Sequence, residues 1–386
     1  MLFTVKILHI ITCLGDGGAE AVLYRLITND DRSQHSVISL MDAGKYGPLL
    51  AEKGIAVHTL NMPRSRVTVS GFLRLMKLIR RIRPDAVQTW MYHANLLGGI
   101  AGRLTGQRNI IWGIHHSDLV PGESSRMTIL VAQLGAWLSS WAAKKVICCA
   151  SRSFEVHARL GYDVQRMQVI ENGYDLSVFQ PDPAAGRRIR QELGLGADQA
   201  VIGFVARYDP LKDHETLLGA LAHLKRRSSC PVCLLIGTGL DANNVILNRK
   251  IAEMGLTEYV HLLGRRSDVP ALMNALDLHV MSSYSEAFPN VLAEAMACGT
   301  PCVSTNVGDA AVILGSTGRI VPPQEPEALA EAIDKMLAER TGPNWNDRRV
   351  AARKHVAEHF SLDSMVKRYR AAWLENSEPE MPHRDF

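Results

Sequence analysis

The sequence predicts an α/β fold built from two doubly wound, Rossmann-like domains facing across a cleft. Three observations carry that expectation. Short apolar runs rich in β-branched residues alternate with helix-period segments along almost the whole chain. The 386 residues are enough for two domains that each bury a core. The alternation breaks once, at "ENGYDLSVFQPDPAAG", Glu171 to Gly186, where Gly, Pro and Asp concentrate.

In the first half the strand candidates are "VKILHII", "HSVISL", "IAVHTL", "DAVQTW", "NIIWGI" and "KVICC", with helical patterns such as "AEAVLYRLI" and "SGFLRLMKLIRRIR" between them. In the second half they are "AVIGFVA", "VCLLIG", "YVHLLG", "DLHVMSS", "TPCVST" and "GRIVPP", separated by helical patterns such as "HETLLGALAHLKRR" and "PNVLAEAMAC". Strands alternating with helices in this way predict parallel sheets. The domains expected are 1–175, 176–360 and a closing helix over 361–376, followed by a polar tail expected to fray.

Composition narrows the function classes. Hydrophobic residues make up 47% and charged residues 21%, as in ordinary globular proteins. A net charge of +4 does not point to nucleic acid but suits an anionic substrate. The first apolar run is short and carries Lys6 and His9, so it reads as a strand rather than a signal peptide. Seven cysteines without a disulfide framework suggest a cytoplasmic setting, and the single "CPVC" pair reads as structural, because Cys233 opens a buried strand.

In doubly wound sheets ligands bind beyond the carboxyl ends of the strands, so the loops there are the candidate sites. After the first strand, "CLGDGGAEAV" places Gly15, Gly17 and Gly18 before a helix N-terminus. A nicotinamide-dinucleotide fingerprint, a structural turn and a ligand-facing loop are the alternatives. Glu20, where the third glycine of the fingerprint belongs, argues against the first. After the fifth strand stand His115 and His116. Neighbouring side chains on a strand diverge and no acid or cysteine cluster accompanies them, so one imidazole aimed into the cleft is favoured over a metal pair, with the choice between the two open.

Two further loops belong to the second domain. In "FVARYDPLKDHETLL", Arg207 and Lys212 suit a departing diphosphate, against the alternative of two solvated surface charges. In "MSSYSEAFPNVLAEAMACG", Glu286 follows a strand, Pro289 is expected in the first turn of a helix, and Asn290 and Glu294 share a face of that helix. Carboxylates accept from hydroxyls, so sugar and ribose diols are natural partners, and the free N–H groups beside them suit phosphate.

Taken together, these motifs resemble a retaining glycosyltransferase of family 4 in the GT-B superfamily. The resemblance covers most of the chain and rests on the glycine loop with "GGAE", the "ENGYDLSVF" linker, Arg207 with Lys212, the E-x7-E pair Glu286 and Glu294, and the last helix, which follow one another in the family's expected order. It implies that Glu286 contacts donor-sugar hydroxyls and that the backbone of Ala287, Phe288, Pro289, Asn290 and Val291 holds sugar and phosphate. It implies Glu294 at the ribose, Arg207 and Lys212 at the leaving diphosphate, Gly17 and Gly18 beside pyrophosphate and acceptor, and Arg265 near the nucleobase. His115, two residues after Gly113, is favoured to face the transferring sugar, with His116 left open. No metal or other cofactor is implied.

The activity expected is transfer of a hexose from a nucleotide sugar, a UDP-sugar by preference, to a glycan or lipid-linked glycan in cell-surface polysaccharide assembly. A UDP-sugar 2-epimerase and a non-catalytic sugar-nucleotide-binding subunit are the alternatives. The segment from Arg64 to Pro84 has seven basic residues and no acid, with an apolar stripe through Phe72, Leu75, Met76, Ile79 and Ile82. It reads as a helix packed on its sheet, with peripheral docking to an anionic membrane as the sharper alternative. "MTILVAQLGAWLSSWAA" is short for a membrane span and reads as a packed or interfacial helix.

Overall fold

The computed structural model describes residues 5–64, 66–116 and 126–375. The polar tail over 377–386 lies outside them. The first-half strand candidates become β1 (Val5–Ile11), β2 (Ser33–Ser39), β3 (Ala56–Thr59), β4 (Ala86–Trp90), β5 (Ile110–Ile114) and β6 (Lys145–Cys148), joined by β7 (Met167–Val169). Their order in the sheet is β3-β2-β1-β4-β5-β6-β7. The second-half candidates become β8 (Val201–Val205), β9 (Val232–Ile236), β10 (Val260–Gly264), β11 (Leu278–Met281), β12 (Cys302–Thr305) and β13 (Arg319–Val321), ordered β10-β9-β8-β11-β12-β13. Every ladder is parallel.

Both sheets therefore have the doubly wound order, with helices expected on both faces. That double cover is why β4, β5 and β9 are buried along their whole length and read as continuous apolar runs rather than as alternating ones. In each sheet the order reverses beside the first strand. The switch point lies between β1 and β4 in one, and between β8 and β11 in the other.

The chain divides into two compact units, one formed by Met1–Gly173 with Asp363–Phe386, the other by Tyr174–Leu362. Tyr174 goes with the second unit because it bridges to Ser361 and its hydroxyl donates to Asn290 Oδ1 at 2.5 Å. The helix Leu362–Leu374 returns to the first unit. Trp373 Nε1 donates to Gln88 Oε1 at 3.1 Å, and Asn109 Nδ2 donates to the Trp373 carbonyl at 2.8 Å.

One boundary is corrected. Pro289 does not occupy the first helical turn; it is the N-cap, with extended backbone, and the helix runs Asn290–Ala297. Its carbonyl accepts from Leu292 N, so it closes the turn from outside without needing the N–H that proline lacks.

Candidate active site

The second unit brings two distant loops together at its switch point. After β8, Asp209 organises the turn: its carboxylate accepts from Leu211 N at 3.0 Å and from Arg207 Nε at 2.9 Å. Burial works against its charge, but these donors hold the carboxyl below its ordinary value. The short 3-10 turn Pro210–Lys212 follows, and Asp213 then caps the helix His214–Arg226 by accepting from Thr216 N at 3.1 Å. Lys212 is thereby fixed directly before the N-cap of a helix.

After β11, the loop carrying Glu286 is stitched to the first. Tyr284 N donates to the Leu211 carbonyl at 2.8 Å, and Ser282 Oγ donates to the Asp213 carbonyl at 2.9 Å. The result is an ion pair 74 residues apart in sequence: Lys212 Nζ lies 2.5 Å from Glu286 Oε1, with the side chains only 19% and 15% exposed. Ser283 Oγ donates to the same oxygen at 2.8 Å. Arg207 differs, its side chain being 62% exposed and paired only with Asp209 among the ion pairs observed. Beyond Glu286, the N-cap of the helix Asn290–Ala297 is Pro289, whose side chain makes no capping hydrogen bond, and Glu294 lies one turn in.

Two glycines build this floor, and the sequence reading missed both. Gly308, after β12, has φ +52, and a Cβ there would stand 2.2 Å from the Ala287 carbonyl oxygen and 2.5 Å from that of Glu286. Gly237, after β9, has φ +147, and a Cβ would meet the Ala206 carbonyl oxygen at 1.8 Å. The only available signal was a glycine just past a strand in "IGTGL" and "STNVGD", which is too common to single out. Arg265 is exposed in the loop after β10, on the edge strand two positions from β8.

The first unit gathers its own residues. Gly17 is the N-cap of the helix Gly18–Thr28, and the Glu20 carboxylate folds back over it, so that a Cβ on Gly17 would lie 2.3 Å from Glu20 Oε2. Cys13 Sγ donates to Glu20 Oε1 at 3.3 Å. The bulky acid therefore faces the loop. His115 and His116 diverge: His115 stacks with Trp90, centroids 5.0 Å apart, and His116 lies edge-on to Tyr92 at 6.3 Å. Burial pushes His115 down to about 4, and its Nε2 has no hydrogen-bond partner among the described residues. His157 is buried behind Tyr92, whose hydroxyl meets its Nε2 at 2.7 Å, and is also lowered to about 4 by burial.

These shifts predict acid lability. His115, His157 and His214 are pushed down to about 4 and His279 to about 3, against 6.5 for a free imidazole, in each case chiefly by burial. Between the two values the unfolded chain binds more protons than the folded one, so stability is full above pH 6.5 and falls as pH drops towards 4. Thermal melts from pH 7 to 4 should show Tm declining through that window; a flat Tm from pH 6.5 to 4.5 would contradict it.

Two family models match the chain: "Glycosyltransferase Family 4" over residues 16–178 and "Glycosyl transferases group 1" over residues 186–355. D-inositol 3-phosphate glycosyltransferase of Mycobacterium tuberculosis is 36% identical over 219 residues, covering 55% of this chain and 45% of that protein. The match thus spans less than half the length of that curated relative. Among solved structures, Anabaena HepE in complex with UDP superposes with a TM-score of 0.84 at 25% identity, covering 96% of this chain and 100% of that one. The same protein was also solved with UDP-glucose. A glycosyltransferase from Rickettsia africae superposes with a TM-score of 0.80 at 21% identity, covering 97% and 98%.

Proposed function

The chain belongs to glycosyltransferase family 4, of the GT-B type, and from that premise we propose that it is a retaining hexosyltransferase. It moves a sugar from a nucleoside-diphosphate donor, a UDP-sugar, to a glycan or lipid-linked glycan acceptor in cell-surface polysaccharide assembly. The observation that carries this reading is the convergence of Lys212, Glu286 and the N-terminus of the helix Asn290–Ala297 at the switch point of the second sheet. Cation, carboxylate and helix N-terminus together match a phosphorylated sugar: charge for the diphosphate, an acceptor for hydroxyls, and the positive end of the helix dipole for phosphate oxygens.

In the reaction the bond from the anomeric carbon to the diphosphate oxygen breaks, and the electron pair leaves with the diphosphate. The acceptor oxygen joins the anomeric carbon on the same face, and its proton passes to the departing phosphate. Arg207 and Lys212 stabilise the charge released, with the backbone of Ala287, Phe288, Pro289, Asn290 and Val291 along the sugar and phosphate. Glu286 holds sugar hydroxyls, Glu294 the ribose, and Arg265 the base. Gly17 and Gly18 admit the acceptor side, and His115, favoured over His116 for its buried, unpartnered Nε2, supports the oxocarbenium-like sugar. Glu294→Ala is expected to raise the donor KM about tenfold while leaving kcat within about twofold, as lost uniform binding does; an effect confined to kcat would contradict the ribose assignment.

A panel of nucleotide sugars, with and without glycan acceptors, tests the proposal. Nucleoside diphosphate released only with acceptor supports transfer; interconverted donor would make it a 2-epimerase; binding without turnover would make it a non-catalytic subunit.

The acceptor setting is the inner face of an anionic membrane. No helix among the described residues is long and apolar enough to cross one. The helix Arg126–Ala142 nevertheless exposes Met127, Leu130, Leu134, Trp137 and Trp141 at alternating three- and four-residue spacing, with Trp137 78% exposed. The basic helix Val69–Ile82 belongs to the same unit, and both flank the helix Tyr92–Leu104. Tryptophans beside basic residues suit an anionic interface. Vesicles containing phosphatidylglycerol should sediment the protein, and both Trp137→Ala/Trp141→Ala and Arg80→Ala/Arg81→Ala should release it. Equal recovery with neutral vesicles would remove the membrane from the proposal.

A further inference from the structure

A chain of polar groups runs through the core of the first unit and ends beneath His115. Trp90 Nε1 donates to His9 Nδ1 at 3.2 Å. His9 Nε2 meets His35 Nδ1 at 3.0 Å, and His35 Nε2 meets Asp30 Oδ2 at 3.2 Å. All four side chains are buried. Asp30 also accepts from Arg32 N at 3.1 Å and lies 3.6 Å from Arg370 Nε. The helix Leu362–Leu374 closes the assembly: Tyr369 stacks with Trp90, and Trp373 meets both imidazoles edge-on at 5.7 Å.

The chemistry of the two ends fixes everything between them. An indole N–H can only donate, and an ionised carboxylate can only accept. His9 must therefore present a bare Nδ1 to Trp90 and carry its hydrogen on Nε2. That hydrogen goes to a bare Nδ1 of His35, whose Nε2 hydrogen goes to Asp30. One proton arrangement satisfies every atom, with both imidazoles neutral. Burial and the neighbouring His35 hold His9 far below the usual imidazole range. Burial would raise Asp30, but its donors, His35 first, hold it below the ordinary carboxyl value.

A buried polar network whose members are all satisfied rigidifies its surroundings and selects one arrangement of them. The backbone at the upper end is also constrained. Met91, directly after Trp90, takes φ +71 with ψ 161, a positive-φ extended conformation rare for a non-glycine residue. Its N–H and Asn95 Nδ2 both donate to the carbonyl of Gly113, two residues before His115. Ring and backbone of Trp90 are thus held from separate directions, and the ring they hold is the one His115 stacks on.

We propose that Trp90, His9, His35 and Asp30 form a positioning device for His115, a directed hydrogen-bond relay that sets the plane of the indole and through it the imidazole beside the transferring sugar. Trp90 and His9 are positioning residues; neither touches substrate. The proposal rests on the assignment of His115 to the reaction, and its two tests separate the one from the other.

The first test uses the wild-type protein and no substrate. Long-range 15N–1H correlation spectra at pH 7 should show His9 and His35 both as neutral Nε2–H tautomers. A neutral Nδ1–H tautomer or an imidazolium at either residue overturns the relay. The second is kinetic. Trp90→Phe keeps a ring under His115 but deletes the donor, and should lower kcat about tenfold with donor KM within about twofold, as a small misplacement of a reacting group does. His35→Gln reads the same relay from its other end should Trp90→Phe not fold. Unchanged kcat in a folded variant overturns the positioning role. If His115→Ala itself leaves kcat unchanged, the role of His115 fails and with it the purpose of the device, while the tautomers still decide the proton arrangement.

Discussion

Lys212→Ala is expected to lower kcat/KM by about 10²–10³-fold, most of it in kcat, the range seen when one preorganised electrostatic partner of a developing charge is removed. Two features of the site make the effect large. Lys212 directly precedes Asp213, the N-cap of a helix, so its ammonium is placed without reorganisation when the diphosphate departs. It is also mostly buried with Glu286, so its removal leaves a carboxylate without its cation in the path of a diphosphate. The variant therefore loses attraction and gains repulsion. Glu286→Ala in the same background should cost much less than it does alone, because the two side chains act as a unit. The check is diphosphate release at saturating acceptor. A loss under about threefold would place the leaving group elsewhere.

The second large effect is expected from Gly308→Ala, a residue that donates no side chain at all. Its φ of +52 disfavours any Cβ, and the new methyl group would stand 2.2 Å from the Ala287 carbonyl oxygen. That obstacle is backbone and cannot rotate away as a flexible side chain would. The Glu286–Ala287 segment must shift, and Asp309 N, which donates to the Ala287 carbonyl at 3.0 Å, must shift with it. Strain at a left-handed site together with a displaced loop is expected to destabilise the unit by about 2–4 kcal/mol. At temperatures where the variant is still folded, kcat should fall at least tenfold. Paired thermal melts and assays check this; wild-type kcat in a folded Gly308→Ala protein would show that the loop position does not matter.

Most of the framework was legible in the sequence for a simple reason. Strands such as "NIIWGI" and "VCLLIG" are covered on both faces, so they write themselves as uninterrupted apolar runs. β7, only three residues of "MQV", is too short to show a period. Pro289 was assigned one position too far into its helix, because its fixed φ suits both the cap and the first turn. At the site, residue types and loop positions were readable, but partners were not. Nothing local links Lys212 to Glu286, since their meeting depends on β8 and β11 being neighbours in the sheet. His9 and His35 were invisible as a pair for the same reason: each looks like a polar residue within a strand, and only the register of β1 and β2, with His35 opposite Ile7, makes them diagonal neighbours. The glycines after β9 and β12 depend on which carbonyl passes beneath them, which is a tertiary fact.

The central claim is that the loops after β8 and β11 hold a nucleoside-diphosphate sugar by its phosphates and ribose. Calorimetric titration with UDP, GDP, ADP and dTDP tests it most directly. The account predicts saturable one-to-one binding, strongest for UDP, weakened by both Lys212→Ala and Glu294→Ala. Failure of all four nucleotides to bind, or affinity untouched by either substitution, would contradict it.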